Sequence, residues 1–395
     1  MTASSHRWAW AEIDWSALAH NVTLLRRASA PASVWAVVKA DGYGHGAVEV
    51  ARAALDAGAA GLCVALVQEG AELRDAGIDA PILVLSEQPT DQVDELVRHR
   101  LTPTVYTDRS VAAIAAAAEA AAVEVDVHLK VDTGMQRVGA APADVPALVA
   151  SIAGHAPAVR LAGIFTHLAV ADEPDHEATG LQLAAFDEVL AGIAEHDSVP
   201  TLVHAANSAG ALAHPAARRS FVRAGIAIYG VSPGPYLDDL VTDLRPAMAV
   251  KARVSLVKRV EAGSHVSYGW RHRFDRATTV ATVPIGYADG VPRRLGTLPG
   301  RPGAEVLIGG RRCPIVGVVT MDQFVVDVGA LEGVAIGDEV VLIGEQRGER
   351  IRAEEWAERL GTIGYEVVCG ISARVPRILV GSPPRRGAAG PAPAP

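Results

Sequence analysis

Cysteine is scarce in this sequence, and the patterns that usually hold metal ions are missing. The 395 residues include three cysteines, Cys63, Cys313 and Cys369, and no CxxC pair. Each cysteine lies in an apolar run and their number is odd, so we expect buried, reduced thiols and no disulfide framework. No HExxH motif and no Cys/His cluster with ligand spacing is present, so we expect no metal site, although distant strands of a barrel can still assemble one.

Long apolar runs and an excess of positive charge are also missing. No segment is long and apolar enough to span a bilayer, and the N-terminal MTASSHRWAWAEIDW lacks the continuous apolar stretch of a secretory signal. The formal net charge is −9 at pH 7, with no long acidic or basic block, which argues against nucleic-acid binding. We therefore expect a soluble, cytoplasmic protein that binds neither nucleic acid nor membrane.

The first part of the chain, residues 14–243, alternates short apolar runs with alanine-rich amphipathic stretches. A chain of this length normally forms two domains. Eight runs are strand candidates: 34–38, 61–66, 81–85, 103–107, 125–131, 161–166, 201–205 and 222–230. Helix candidates occupy most of the gaps, at 47–57, 89–99, 108–121 and 176–195, and another begins at Asp14. Eight β–α units predict an α/β fold of the (β/α)8 TIM-barrel type, with a doubly wound sheet as the alternative.

After residue 243 the pattern changes to closely spaced, alternating β-branched segments. These segments are 250–260, 278–287, 305–308, 324–328 and 339–344, with one short helix near 353–360. They predict a second, mostly antiparallel β domain over residues 244–381. The N-terminal RWAWAEI, residues 7–13, also alternates, so residues 1–13 could join that domain. Residues 382–395 are rich in Pro, Gly and Ala, so we expect a disordered tail.

Unusual polar residues follow the strand candidates where a TIM barrel places its chemistry. Barrel enzymes carry their active sites at the C-terminal ends of the strands and often bind phosphate after strands seven and eight. The residues in question are Lys39, Lys130, Arg137, His167, Asn207, Ser208, Arg223 and Gly225. They belong to five different strand ends, so we predict that they form one active site.

Lys39 is the most informative of these residues. It lies in VVKADGYGHG, residues 37–46, directly after an apolar run. A lysine at the end of a buried strand can lose its proton and form a Schiff base with a carbonyl group. The following glycines permit close approach of the backbone to a ligand. Their GxGxG spacing differs from the GxGxxG of dinucleotide-binding folds, which makes a dehydrogenase a weak alternative.

This segment closely resembles the cofactor-lysine motif of the alanine racemase family, and later segments match that family's motifs in order. They are HLKVDTGMQRVG (128–139), FTHLA (165–169), HAANSAG (204–210), VRAGIAIYG (222–230), VSYG (266–269), IGYADG (285–290), VTMDQ (319–323) and GYEVVCGI (364–371). The resemblance runs from about Arg7 to Gly381. It implies a TIM barrel followed by a β domain, pyridoxal 5'-phosphate as cofactor, and a homodimer whose two sites each use both subunits. The implied enzyme is an isomerase that interconverts L-alanine and D-alanine and supplies D-alanine for cell-wall peptidoglycan.

The resemblance also assigns the proton chemistry. Lys39 carries the cofactor as a Schiff base and, once freed, moves the α-proton of the substrate on one face. Racemisation needs a second acid/base on the opposite face, and Tyr268 of the partner subunit matches it. His167 and Arg223 match the cationic neighbours of this tyrosine, and Arg223 also faces the pyridine nitrogen of the cofactor.

Further positions match residues that bind the cofactor or the substrate in the family. The implied phosphate ligands are the N–H groups of Gly225 and Ile226 and the hydroxyls of Tyr43, Ser208 and Tyr365, and Asn207 belongs with the cofactor-binding residues. The implied substrate-binding residues are Arg137, Met321, Asp322 and Tyr287, with Tyr287 and Tyr365 narrowing the entrance. His204 matches a partner of Arg223, and Lys130 matches a lysine that is carbamylated in many members and orients Arg137. Two positions depart from the common pattern: Thr320 replaces Cys and Gln136 replaces Gly.

Three alternatives to alanine racemisation stay open at this point. A broader-specificity amino-acid racemase would differ only in the volume of its pocket. A decarboxylase of the same fold is expected to place an acid at the pyridine nitrogen, so Arg223 argues against it. A non-catalytic pyridoxal-phosphate carrier typically lacks the β domain that this chain contains.

Overall fold

The computed structural model describes residues 7–195, 199–297 and 300–381. The predicted tail, residues 382–395, lies outside the described residues. Contacts divide the described chain into two compact units. One is built from residues 16–245, and the other combines the chain up to Trp15 with the segment that begins at Pro246.

The first unit contains a sheet of eight parallel strands, which confirms the predicted (β/α)8 barrel. Numbered along the chain, these strands are β2 (Ser33–Val37), β3 (Gly61–Val64), β4 (Ile82–Val84), β5 (Thr102–Val105), β6 (Val125–Lys130), β7 (Val159–Phe165), β8 (Leu202–His204) and β9 (Phe221–Ala224). Their order in the sheet is β8-β7-β6-β5-β4-β3-β2-β9. Backbone hydrogen bonds from Ser220 N to Val203 O and from Arg223 N to Ala206 O connect the two ends of this order, so the barrel is nearly closed.

Helices connect the barrel strands. They are α1 (Trp15–Ser29), α2 (Lys39–Gly44), α3 (Ala47–Asp56), α4 (Val67–Asp75), α5 (Val93–Arg98), α6 (Asp108–Ala121), α7 (Val145–Gly154), α8 (Glu177–Ala194) and α9 (Ser208–Ala213). Side chains fix two of the helix starts: Thr107 accepts the N–H of Ser110 before α6, and His176 accepts the N–H of Ala178 before α8.

The eighth strand is shorter than the sequence suggested. We expected one strand over 222–230, but β9 ends at Ala224 and residues Ile226–Tyr229 form a 3-10 helix. The hydroxyl of Ser208 accepts the N–H groups of Gly225 and Ala227 at 2.9 and 3.3 Å. These two donors are therefore unavailable to a strand ladder, and the apolar run continues in a different conformation.

Aromatic rings fill the centre of the barrel. Trp35 stacks on Phe221 at 4.5 Å, and His204 lies between Phe221 and Phe165 with ring centroids 4.1 and 4.5 Å away. Gly163 leaves room for His128, because a Cβ at this position would lie 2.5 Å from that imidazole. The barrel core thus contains two imidazoles directly beneath the predicted site.

The second unit is mostly antiparallel, as predicted. Its strands are β1 (Ala9–Asp14), β10 (Met248–Arg253), β11 (Leu256–Val260), β12 (His265–Val266), β13 (His272–Arg273), β14 (Thr278–Val283), β15 (Glu305–Ile308), β16 (Arg311–Val316), β17 (Phe324–Asp327), β18 (Glu339–Gln346), β19 (Glu349–Ile351) and β20 (Arg377–Val380). The main sheet has the order β11-β14-β17-β16-β15-β18-β10-β1-β20, and β19 pairs with β18. Two helices follow, α10 (Ala353–Leu360) and α11 (Gly364–Cys369).

The N-terminal strand belongs to this unit. β1 pairs antiparallel with β10 and parallel with β20. Its burial alternates strictly between buried and half-buried residues, which is the pattern of a strand with one face against a core. The alternation seen in the sequence therefore reflects a place in the β domain.

The cysteines do not all follow the expectation. Cys63 and Cys313 are buried and free, and burial raises the pKa of the Cys63 thiol to about 12. Cys369 is exposed, so the prediction was wrong there. The buried face of α11 consists of Gly364, Val367 and Val368, and Cys369 ends the helix outside that face.

No helix in the described ranges combines the length and the apolar character needed to cross a membrane.

Candidate active site

Lys39 lies at the C-terminal end of the first barrel strand, at the start of a left-handed turn. The φ angles of Ala40, Asp41, Gly42 and Tyr43 are +52°, +51°, +60° and +52°. Such angles are ordinary for glycine and unfavourable for the other three residue types. The turn folds the chain back sharply after Lys39, and the ring of Tyr43 packs inside the unit with 8% of its surface exposed.

Arg223 is the centre of the polar network inside the barrel. It is 3% exposed, and its Nη2 donates to the carbonyl oxygens of Thr166 and Ala205, each at 2.9 Å. Its guanidinium also contacts Nδ1 of His204 at 2.7 Å and Nδ1 of His167 at 3.1 Å. Burial lowers the pKa of Arg223 to about 10, so the guanidinium stays charged at neutral pH.

The donors of Arg223 fix the tautomers of three imidazoles. A guanidinium can only donate, so Nδ1 of His204 and Nδ1 of His167 must accept, and Nε2 of each ring carries the hydrogen. Nε2 of His204 lies 2.9 Å from Nδ1 of His128 and donates to it. Burial first, and then the charge of Arg223, hold the pKa of His167 well below its ordinary value. His167 is thus a neutral donor through Nε2, and not the cation that the sequence suggested.

Lys130 and the loop after β6 bring further charge to the same place. Lys130 is 5% exposed, and burial together with Arg223 and Arg137 lowers its pKa to about 8. Burial raises the pKa of Asp132, but backbone N–H groups, including those of Gly134 and Gln136 at 3.0 Å, bring it below its usual value. Gln136 has a φ of +56°, which gives a physical reason why glycine suits this position.

The neighbouring side chains of Asn207 and Ser208 have different roles: one caps a helix and the other accepts backbone N–H groups. The side chain of Asn207 caps α9 by accepting the N–H of Gly210 at 2.9 Å. Ser208 is 2% exposed and accepts the N–H groups of Gly225 and Ala227. A Cβ on Gly225 would lie 2.7 Å from the hydroxyl oxygen of Tyr43. Backbone N–H groups and two hydroxyls therefore meet at a point that only glycine leaves open.

Several cations lie near His167 at the barrel end. Four cations, Arg223, Lys130, Arg137 and Lys39, all lower the pKa of His167. The carboxylate of Asp132 opposes them at Lys130, where it raises the pKa. A group of four cations favours binding of an anion.

Several of the predicted residues belong to the β unit. Tyr287 and Met321 lie on adjoining loops, because Tyr287 N donates to Thr320 O and Ala288 N donates to Met321 O, both at 3.0 Å. A Cβ on Gly286 would lie 2.3 Å from Thr320 O, so only glycine allows this approach. Thr320 closes its own loop by donating through Oγ1 to Gln323 O at 2.6 Å. Tyr365 is half-buried in the first turn of α11.

Tyr268 follows Ser267, whose φ is +61° and whose hydroxyl donates to Val318 O at 2.9 Å. This bond ties the loop of Tyr268 to the segment between β16 and Met321. Tyr268 is 71% exposed and Met321 is 52% exposed. Both side chains are therefore accessible on the surface of the chain.

Sequence reasoning missed a buried carboxylate that ties these loops together. Asp289 has no exposed side-chain surface and pairs with Arg7 at 2.6 Å and Arg374 at 3.3 Å. Arg374 also pairs with Asp322 at 2.8 Å, and Asp289 accepts the N–H of Gly286 at 3.0 Å. We call these four charged residues the Asp289 cluster. Asp289 lies within the IGYADG motif, which is the one signal that the sequence offered.

Replacing Asp289 with asparagine is expected to destabilise the protein by about 2 kcal/mol, because two arginines lose the carboxylate between them. The partial exposure of both arginines lets water offset part of that loss. Chemical denaturation of the variant measures the change. Asp275→Asn, at a carboxylate that is 95% exposed in the same unit, is the matched control. Equal stability of the two variants would show that the Asp289 cluster contributes nothing.

The described residues contain no group of three or more His, Cys, Asp or Glu side chains arranged to hold a metal ion.

A parallel barrel with a strand-end lysine and a buried arginine, together with a mostly antiparallel β unit, defines a two-domain barrel enzyme. The model of the alanine racemase N-terminal domain matches residues 13–233, and that of the alanine racemase C-terminal domain matches residues 247–379. The chain therefore belongs to the alanine racemase family, whose members are isomerases, and the class of enzyme predicted from the sequence is confirmed.

Individual relatives agree with this assignment. The alanine racemase of Symbiobacterium thermophilum is 47% identical over 381 residues, which cover 96% of this chain and 99% of that protein. The alanine racemase of Thermobifida fusca is 45% identical and covers 95% and 98%. Among solved structures, the alanine racemase of D-cycloserine-producing Streptomyces lavendulae has a TM-score of 0.90 at 40% identity, covering 96% of this chain and 98% of that one.

Proposed function

We propose that this protein interconverts L-alanine and D-alanine with pyridoxal 5'-phosphate as cofactor, using Lys39 and Tyr268 as the two acid/base residues. The observation that carries the proposal is the group of four cations at the barrel end, one of them a lysine that directly follows a buried strand. Family membership supports the reaction, and the residues of the barrel unit support the cofactor.

The residues of the barrel unit fit a phosphorylated cofactor. The four cations near His167 suit a phosphate dianion, and the hydroxyls of Ser208 and Tyr43 lie beside Gly225. When bound, pyridoxal phosphate withdraws electrons from the α-carbon of the substrate and makes its proton acidic. The residues that we propose to hold it are Lys39, Tyr43, His167, Asn207, Ser208, Arg223, Gly225, Ile226 and Tyr365.

Arg223 and His167 have complementary tasks in this proposal. Arg223 stays charged at neutral pH, and a charged guanidinium disfavours protonation of a neighbouring ring nitrogen. This argues against a decarboxylase of the same fold. His167 is neutral and carries its hydrogen on Nε2, so it can donate to an oxygen. We propose that this oxygen belongs to Tyr268 of the partner subunit in a homodimer.

The substrate carboxylate is assigned to Arg137, with Met321 and Asp322 approaching it and Tyr287 narrowing the entrance. Lys130 supports Arg137 if its amine reacts with carbon dioxide, forming an N–C bond and releasing a proton. A pKa of about 8 leaves a substantial fraction of that amine neutral, as this reaction requires. The carbamate would then place negative charge beside the arginine.

The cellular role follows from the chemistry. We propose that the enzyme works in the cytoplasm and supplies D-alanine for cell-wall peptidoglycan. We also propose residues 14–243 as the cofactor-binding domain and residues 244–381, with 1–13, as the β domain.

The proposal is tested by incubating the purified holoenzyme with L-alanine in D2O. We expect optical rotation to fall to zero while one deuterium enters at the α-carbon. Parallel reactions with L-serine and L-leucine measure how strictly a methyl side chain is required, and carbon dioxide release measures decarboxylation. Carbon dioxide release that matches the fall in rotation, with no D-alanine formed, would overturn the racemase assignment. Comparable rates with L-leucine would replace alanine by a broader substrate class.

A further inference from the structure

The carboxylate of Glu69, in the first turn of α4, connects two loops of the barrel. Its Oε1 accepts the N–H of Ala40 at 2.6 Å. Its Oε2 accepts the N–H groups of Ala65 and Leu66 at 2.7 and 3.1 Å. Ala65 and Leu66 directly follow β3, whereas Ala40 directly follows Lys39. One side chain thus joins the end of the second barrel strand to the residue beside the lysine.

The segment that Glu69 reaches is strained. Ala40, Asp41 and Tyr43 adopt left-handed conformations with φ near +52°, +51° and +52°, and for an L-residue this conformation costs roughly 1–2 kcal/mol. Interactions elsewhere must maintain it. Asp41 contributes by accepting the N–H of Ala47 through Oδ1 at 2.9 Å, and its carbonyl accepts the N–H of Gly46.

Those bonds fix the later part of the turn, and Glu69 fixes its first residue. The N–H of Ala40 belongs to the peptide unit that begins at the carbonyl of Lys39. The direction of this N–H therefore determines the orientation of the peptide unit after Lys39, and with it the direction in which the lysine side chain leaves the backbone. A charged acceptor at 2.6 Å is a strong constraint on that direction.

We propose that Glu69 is a positioning residue for Lys39, acting by holding the left-handed turn after it. The proposal rests on the proposed function, because it takes Lys39 as the reactive lysine. Glu69 contacts neither substrate nor cofactor in this account. It keeps the strained turn in its left-handed conformation, so that the side chain of Lys39 leaves the backbone in one direction.

Helix capping alone is the competing explanation, and the chain offers a control for it. Glu355 accepts the N–H of Arg352 at 2.9 Å at the start of α10, which is the same capping bond without a link to a strained turn. Glu72 is exposed on the same helix as Glu69. Three variants therefore separate three effects. Glu69→Gln tests support of the turn, Glu355→Gln tests capping of a helix, and Glu72→Gln tests the loss of a charge on the same helix.

The second element of the test is Ala40→Gly, since glycine adopts the left-handed conformation without strain. If Glu69 maintains the turn, the glycine should replace part of its function. The four proteins of the cycle are the wild type, Glu69→Gln, Ala40→Gly and the double variant. Measurements on the holoenzymes are kcat and KM for L-alanine, cofactor retention after dialysis, the rate of hydrogen exchange at the Ala40 amide, and thermal unfolding.

We expect Glu69→Gln to lower kcat at least tenfold with KM changed less than threefold, to weaken cofactor retention, and to speed exchange at the Ala40 amide. Ala40→Gly added to that variant should restore kcat by threefold or more, while Glu72→Gln and Glu355→Gln keep the wild-type kcat. Additive losses in the cycle, or an unchanged kcat in Glu69→Gln, would overturn the proposal. If the wild type itself fails to racemise alanine, the proposed function fails, and the exchange rate and cofactor retention still decide the role of Glu69.

Discussion

Lys39→Ala is expected to abolish racemisation, with a loss of at least about 10⁴-fold, and to leave a protein that releases pyridoxal phosphate on dialysis. Two contributions disappear together. One is the covalent attachment that a lysine amine provides, and the other is the acid/base group on one face of the substrate. Racemisation rate and the cofactor content after dialysis are the two measurements.

The small number of lysines allows each of them to be considered as the residue that binds the cofactor. The sequence contains four lysines, Lys39, Lys130, Lys251 and Lys258. Lys251 pairs with Glu12 and Glu339 in the β unit, and Lys258 is exposed on β11. Lys258→Ala is the matched control and should keep both the activity and the cofactor.

Lys130 is the one serious competitor for the role of anchor. It is buried in the barrel, and its lowered pKa of about 8 makes its amine more available as a nucleophile. In our assignment, Lys130→Ala weakens substrate binding and keeps the cofactor. If Lys130→Ala releases the cofactor while Lys39→Ala retains it, the anchor is Lys130.

The barrel itself could be predicted because its strands are short apolar runs at regular spacing. Each of the eight runs overlaps a strand of the sheet, and the polar residues that follow them collect at the same end because parallel strands all point one way. The sequence alone therefore predicts that the cations Lys39, Lys130, Arg137 and Arg223 lie at one end of the barrel.

Backbone conformation was the first thing that the sequence could not show. Ala40, Asp41 and Tyr43 are left-handed although none is glycine, and the carboxylate that accepts the N–H of Ala40 belongs to Glu69, on another element. β9 ends early for a similar reason: Ser208, on another element, takes the N–H groups that a strand would need. Local patterns do not record contacts made by residues that are far apart in the chain.

Long-range contacts of carboxylates were the second feature that the sequence could not show. Asp289 meets Arg7 and Arg374, which lie far from it in sequence, and Glu69 meets Ala40 across two strands. Five strands of the β unit lie outside the predicted segments: β12, β13 and β19 have only two or three residues, β16 contains two arginines and a proline, and β20 is a short run near the end of the described chain. These elements are determined by their neighbours in the sheet.

Tyr268→Phe is expected to impair proton transfer on one face of the substrate and to leave proton transfer on the other face intact. The variant loses the hydroxyl proposed to act on one face, whereas Lys39 on the other face is unchanged. Racemisation should fall by about 10²–10⁴-fold, the usual contribution of one positioned acid/base group. Exchange of the α-proton with D2O should persist for one alanine enantiomer and be lost for the other.

The measurement is the initial rate of deuterium uptake from L-alanine and from D-alanine, made separately with the holoenzyme. Tyr236→Phe is the matched control, because Tyr236 is 68% exposed in the barrel unit, close to the 71% of Tyr268, and has no proposed role. The cofactor content should equal that of the wild type in both variants. Equal loss of uptake from both enantiomers, with the cofactor retained, would mean that Tyr268 serves a step common to both directions, and the second base would have to be sought elsewhere.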